Sequence, residues 1–165
     1  MEITELQTEI SHLSKQLSKR RMTICTAESC TGGLIAKLFT DMPGSSDWFD
    51  CAFITYTNQA KQKMLNVEVS LLDKFGAVSQ PVIVAMAKGA LANCSSKIAI
   101  ATSGIAGPAG GTVEKPVGMV WIAWAGKNYD TQSQCFYFDG DRDSIRNQAA
   151  KAAIAGCIKY IVKNA

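Results

Sequence analysis

The chain has 165 residues, 47% of them hydrophobic and 19% charged, with a net charge of +3. This is an ordinary globular balance, enough for one domain spanning 1–165 with a full core. The charge is small and scattered, which argues against a nucleic-acid partner. No apolar run nears the ~20 residues of a membrane span, and MEITELQTEI lacks a signal-peptide core, so no membrane and a cytoplasmic location are expected.

Ile3, Leu6, Ile10, Leu13 and Leu17 recur at spacings of three and four, which predicts an amphipathic helix over 3–20. MTICTA, 22–27, is β-rich and reads as a buried strand. Gly32 and Gly33 then lead into the helix LIAKLFTDM, which Pro43 and Gly44 end. CAFITY, 51–56, is a second strand. Asn58 is placed to cap a short helix to about Leu65, and Ser70 to cap another ending near Phe75. Ser79 and Pro81 open a longer helix to about Ala92. KIAIATS, 97–103, is apolar all round, as a central parallel strand should be. A glycine-rich loop over 103–118 precedes two strands, 117–125 and 129–138, whose short GKN connection predicts a hairpin. The last helix starts at DGDRDS, with Asp141 or Asp143 as its cap.

Alternating strands and helices closed by a hairpin predict an α/β fold. The expectation is a three-layer α/β/α domain with a mixed, mostly parallel sheet of about five strands and one reversed strand. Ligands of such folds bind beyond the carboxyl ends of the strands. Ser29, Tyr56 and Ser103 all fall at those ends.

The six cysteines show no C-x-x-C spacing, which argues against a zinc ribbon or a thioredoxin-type pair; reduced thiols are expected. The single histidine, His12, lies in the first helical pattern, far from the glycine-rich loops. A Ser-His-Asp triad needs its histidine at the site, and a zinc hydrolase usually needs more than one. A hydrolase built on this chain therefore takes a lysine, a carboxylate or a tyrosinate as its base.

Ser29, before a helix, reads either as an N-cap or as a nucleophile whose oxyanion is held by N–H groups near Thr31, Gly32 and Gly33 or by those of the Ser103–Gly104 loop. Cys30 is the rival nucleophile. It has no histidine to pair with and is expected to point away from Ser29. Lys61, on the helix after Tyr56, is a solvated surface lysine or, if burial lowers its pKa toward ~7–8, a general base. Tyr56 is a sheet-edge aromatic, a group that orients a proton, or a platform for a flat substrate. Ser103 and Gly104 open a loop of exposed N–H groups suited to an anion. Arg142, with Arg146 one turn on, sits at a helix start, where a phosphate would bind.

TAESCTGG, GSS-x-WF, YTN-x-x-K, GAVS, SGIAGPAGG followed by KPVG, and GDRD-x-x-R occur in one order along the chain. In this the sequence resembles the CinA C-terminal domain family, the nicotinamide-nucleotide amidases, over about residues 5 to 162. The resemblance implies hydrolysis of the carboxamide of nicotinamide mononucleotide to nicotinate mononucleotide and ammonia, serving pyridine-nucleotide recycling. It implies a serine–lysine pair, Ser29 and Lys61, without metal or cofactor, with Tyr56 in the second motif and Arg142 near the nucleotide. It also implies a stand-alone form of the domain and a homo-oligomer. Two other functions remain open on the residues: a non-catalytic nucleotide-binding module, and an amidase with another amide substrate.

Overall fold

The structure, a computed structural model, describes residues 2–165, with side chains from residue 5 onward. Ile3, expected on the apolar side of the first helix, lies outside the residues whose side chains are described. The elements run α1 (Glu2–Lys19), β1 (Ile24–Glu28), α2 (Leu34–Thr40), β2 (Phe49–Ile54), α3 (Asn58–Leu65), α4 (Val69–Phe75), α5 (Gln80–Ala92), β3 (Ile98–Gly104), β4 (Met119–Gly126), β5 (Tyr129–Tyr137) and α6 (Arg142–Lys163). Among the described residues no helix is long and apolar enough to cross a membrane.

The strands form one five-stranded sheet in the order β2-β1-β3-β4-β5. β1 pairs parallel with β2 and β3, whereas β4 pairs antiparallel with β3 and β5. Four strands therefore point one way and β4 alone is reversed, as the sequence predicts.

Helices cover both faces. On one, α1, α2 and α6 pack against large side chains, Ile24, Ile98, Ile100, Val120, Ile122 and Trp124. On the other, α5 rides close over small ones, Cys25, Ala27, Ala99, Ala101, Ala123 and Ala125. The same close approach fixes α3: a Cβ added to Gly89 of α5 would lie 2.0 Å from the carbonyl oxygen of Leu65, the last residue of α3. Glycine at this position lets the α3 backbone sit against α5.

Several boundaries shift from those expected. β2 ends at Ile54, so Tyr56 lies past the strand; the Thr55 N–H makes the last rung, to the Glu28 carbonyl at 2.9 Å. Thr57, not Asn58, caps α3: Thr57 is extended and its Oγ1 accepts the Ala60 N–H, while Asn58 is already helical. Ser70 does not cap α4, which begins one residue earlier after Glu68; its hydroxyl turns to the Glu68 carboxylate. At the last helix Asp141 is the cap, accepting the Ser144 N–H at 2.8 Å, and Asp143 lies inside the first turn.

Candidate active site

Side chains alternate across a strand, so Glu28 and Ser29 leave the end of β1 on opposite faces. Ser29 shares the face of Cys25 and Ala27, toward α3 and α5. The Ser29 N–H is held by the Thr102 carbonyl at 3.0 Å, continuing the parallel ladder past the strand end. Its hydroxyl caps nothing. It lies 3.0 Å from Nζ of Lys61.

Lys61 is 1% exposed. Its Nζ also donates to the Thr55 carbonyl at 2.9 Å and the Tyr56 carbonyl at 3.2 Å. Among the described residues no carboxylate pairs with it. Burial disfavours the ammonium and lowers the pKa from 10.5 to about 8, against a small opposing effect of Cys30. A neutral amine has two N–H bonds and one lone pair. With both N–H bonds on the two carbonyls, the lone pair is left to face the Ser29 hydroxyl. A helix reading NQAKQKML gives no sign of this burial; the docking of α3 on α5 produces it.

Glu28, on the other face, is fully buried. Its carboxylate accepts Thr31 Oγ1 at 2.8 Å, Thr26 Oγ1 at 3.0 Å, and the N–H groups of Gly33, Ile35 and Ala36 at 3.0–3.2 Å. It neutralises the start of α2 and closes the turn that carries Ser29. Sequence reasoning missed this role, although a carboxylate ending an apolar strand before a helix start is a recognisable capping signal. It also alters the part expected of the turn. The Gly33 N–H is spent on Glu28 and the Gly32 N–H on the Ser29 carbonyl. Thr31 is buried, with its hydroxyl on Glu28 and Thr102. Thr31, Gly32 and Gly33 thus build the turn and do not line the cleft beside Ser29.

That cleft opens to solvent and has a cavity volume of about 180 Å³. Ser29, Cys30, Tyr56, Lys61, Gly104 and Arg142 are among its lining residues. Cys30 is among the residues bordering this cleft, and its side chain packs in the core on the α2 and α6 side of the sheet. Burial pushes its thiol up to about 12, so it stays protonated and is a poor rival nucleophile. The Ser103 hydroxyl is committed to the Ala77 carbonyl at 2.9 Å, pinning the GAVS segment to the end of β3. The Ile105 N–H bonds to Met119 across β4, so strand alternation turns the Gly104 N–H toward the end of β1 and the cleft. A side chain at Gly104 would meet Val120 and the Met119 carbonyl at 2.6–2.7 Å.

Tyr56 stands at the cleft mouth, 61% exposed. Its hydroxyl accepts from Nη2 of Arg142 at 3.1 Å, and its carbonyl, not its hydroxyl, touches Lys61. Arg142 also donates to the Gly107 carbonyl at 2.8 Å, bridging the glycine-rich loop to Tyr56. Arg146 is not free for an anion: it donates to the carbonyls of Cys30 and Thr31, both at 3.0 Å, and anchors the turn after Ser29 to α6. His12 is exposed on α1, beside Gln16.

The model of the CinA C-terminal domain matches residues 6–161. The nicotinamide-nucleotide amidohydrolase PncC of Escherichia coli K12 is 46% identical over 163 residues, covering 95% of this chain and 98% of that protein. A CinA-like protein of Akkermansia muciniphila is 48% identical over 142 residues, 86% of this chain; the match spans only 34% of that longer protein. The crystal structure of the competence/damage inducible protein CihA of Agrobacterium tumefaciens superimposes with a TM-score of 0.91 at 39% identity, covering 93% of this chain and 94% of that one.

Proposed function

This chain belongs to the CinA C-terminal domain family, and on that premise we propose that it hydrolyses the carboxamide of nicotinamide mononucleotide, releasing ammonia and nicotinate mononucleotide, by a serine–lysine mechanism. The observation that carries the chemistry is the buried amine of Lys61, 3.0 Å from Ser29 Oγ with its other contacts fixed on two backbone carbonyls. The substrate class rests on likeness to PncC.

In the forward step Ser29 Oγ attacks the carboxamide carbon and Lys61 Nζ takes the hydroxyl proton. With a pKa of about 8, roughly a tenth of the enzyme holds the neutral amine at pH 7. An ordinary lysine would hold a few hundred times less. Charge develops on the carbonyl oxygen, and the Gly104 N–H is the donor aimed into the cleft to meet it. Such a donor is worth ~3–4 kcal/mol at the transition state. The Lys61 ammonium then returns its proton to the departing nitrogen and ammonia leaves. Lys61, neutral again, deprotonates a water that attacks the Ser29 ester, releasing the acid and the serine. The positive charge of Arg142 and the exposed Tyr56 ring at the mouth suit the phosphate and the flat ring of a nucleotide. No cofactor or metal enters these steps.

The test is ammonia release across a panel of nucleotide amides, with wild type and Ser29→Ala. Turnover of nicotinamide mononucleotide that is lost in the variant and unaffected by chelator supports the reading. Preference for another amide would move the substrate and keep the mechanism. Ligand-induced thermal stabilisation without turnover of any amide would make the chain a binding module. Sedimentation of the purified protein checks the homo-oligomer that the resemblance implies.

A further inference from the structure

A second group of chemically active side chains lies at the other end of the sheet. There β2 slips in register against β1: Ile24 faces Phe49 but Cys25 faces Cys51, leaving Asp50 as an extra residue. A bulge breaks the alternation of side chains and re-aims them. Two consecutive residues, Asp50 and Cys51, here both reach Cys94, just beyond the end of α5. A carboxylate oxygen of Asp50 and the Sγ atoms of Cys51 and Cys94 all lie within 4.8 Å of one another. Ser96 Oγ donates to Asp50 Oδ2 at 2.9 Å and orients the carboxylate. The fully buried Cys25 thiol lies beneath, neighbouring Cys94, Cys51 and Ser96. Asp50 is exposed and both upper cysteines are half-buried, so an ion from solvent can enter.

We propose that Asp50, Cys51 and Cys94 form a binding site for a thiophilic divalent cation of the zinc class, outside the amidase cleft. Two sulfurs and one carboxylate oxygen are the donor set of an open four-coordinate site, with water in the fourth position. Four-coordinate zinc, at about 2.3 Å from sulfur, holds its ligand atoms roughly 3.8 Å apart. The present spacing closes on an ion with about 1 Å of movement, in a bulge and a helix-end segment that can supply it. On binding, two metal–sulfur bonds and one metal–oxygen bond form, the hydrated ion sheds water, and each thiol gives one proton to solvent. Cys25, beneath this site, and Ser29 are four residues apart on one extended segment, so roughly 13 Å of strand separates them. A bound ion would tie the edge strand β2 to the end of α5 without touching the cleft.

The experiment uses the full chain, reduced and freed of metal, titrated with cobalt(II) as a spectroscopic stand-in. One equivalent should give a sulfur-to-cobalt charge-transfer band that zinc bleaches, with about two protons released per ion. Cys51→Ser and Cys94→Ser should each abolish the band, while Cys135→Ser, on the opposite edge strand, should keep it. Asp50→Asn, at an exposed position, should weaken binding about 10-fold or more. Zinc at about 100 times its Kd should raise the melting temperature by roughly 5–10 °C in wild type and not in the two serine variants. Melting in chelator checks that the variants fold. A wild type without the band, or a band of equal strength in the Cys51→Ser/Cys94→Ser protein, would overturn the assignment.

Discussion

Glu28, at the end of β1, and Lys61, on α3, are both buried ionisable side chains on opposite faces of the sheet, and their surroundings differ in kind. Glu28 accepts five hydrogen bonds from two hydroxyls and three backbone N–H groups. Its polar partners are complete, so the group is a fixed anchor. Lys61 meets three oxygens and no carboxylate at the floor of the cleft, and burial pulls it toward the neutral amine. The lesson is that the same degree of burial makes a scaffold where polar partners are complete and a reagent where the countercharge is missing.

The comparison breaks most sharply at the reagent. Ser29→Ala and Lys61→Met should each cut kcat for ammonia release by on the order of 10⁴-fold or more, because nucleophile and base act as one unit. Lys61→Met also tests the stability side of the contrast. The folded pKa of Lys61 lies below its unfolded value, so between pH 8 and 10.5 the unfolded chain binds more protons and wild type gains stability as pH rises. Denaturant titration should therefore show the Met variant losing its relative advantage by about 3 kcal/mol from pH 7 to pH 10.5. A constant difference would contradict the lowered pKa.

At the anchor the order of effects reverses. Glu28→Gln keeps the shape but replaces an accepting oxygen by a donor facing other donors. It should cost about 2–3 kcal/mol of stability, read by denaturant melts. It should lower kcat while leaving the pH midpoint of activity where it was; a moved midpoint would make Glu28 part of the proton chemistry. Gly89→Ala comes next. Its Cβ would collide with the Leu65 carbonyl at 2.0 Å and push α3, with Lys61, off its seat. A shift near 1 Å predicts up to about 10²-fold in kcat with little change in KM. Arg142→Ala should act least, raising KM for the nucleotide about 10-fold with kcat nearly kept; an equal rise for the nucleoside, which has no phosphate, would remove Arg142 from phosphate binding.

Much of this was legible in the sequence. Periodicity located each strand and long helix, and the three polar residues expected at strand ends, Ser29, Tyr56 and Ser103, line one cleft. The resemblance singled out Ser29 and Lys61, and the structure brings those two side chains together. What escaped depends on tertiary register. Lys61 sits in a polar helix that looks solvated until Gly89 lets Leu65 close on α5. Glu28 alternates with Ser29, so attention to the serine's face hides the carboxylate on the other; of the turn N–H groups expected to meet an oxyanion, Gly33's holds Glu28 and Gly32's holds the Ser29 carbonyl. The extra residue at Asp50 leaves no trace in composition, because a one-residue register shift is decided by the pairing strand. Arg146 and Arg142 are one turn apart in sequence and look alike, yet one is bound to carbonyls and the other bridges the cleft.

The most direct test of the central claim is the pH dependence of kcat/KM for ammonia release by wild-type protein, measured across the stability range of the fold. The account predicts a rate that climbs with pH and levels off above an apparent pKa near 8, the limb reporting loss of a proton from Lys61. A rate that is flat or falling through that region would show that the buried amine does not activate Ser29.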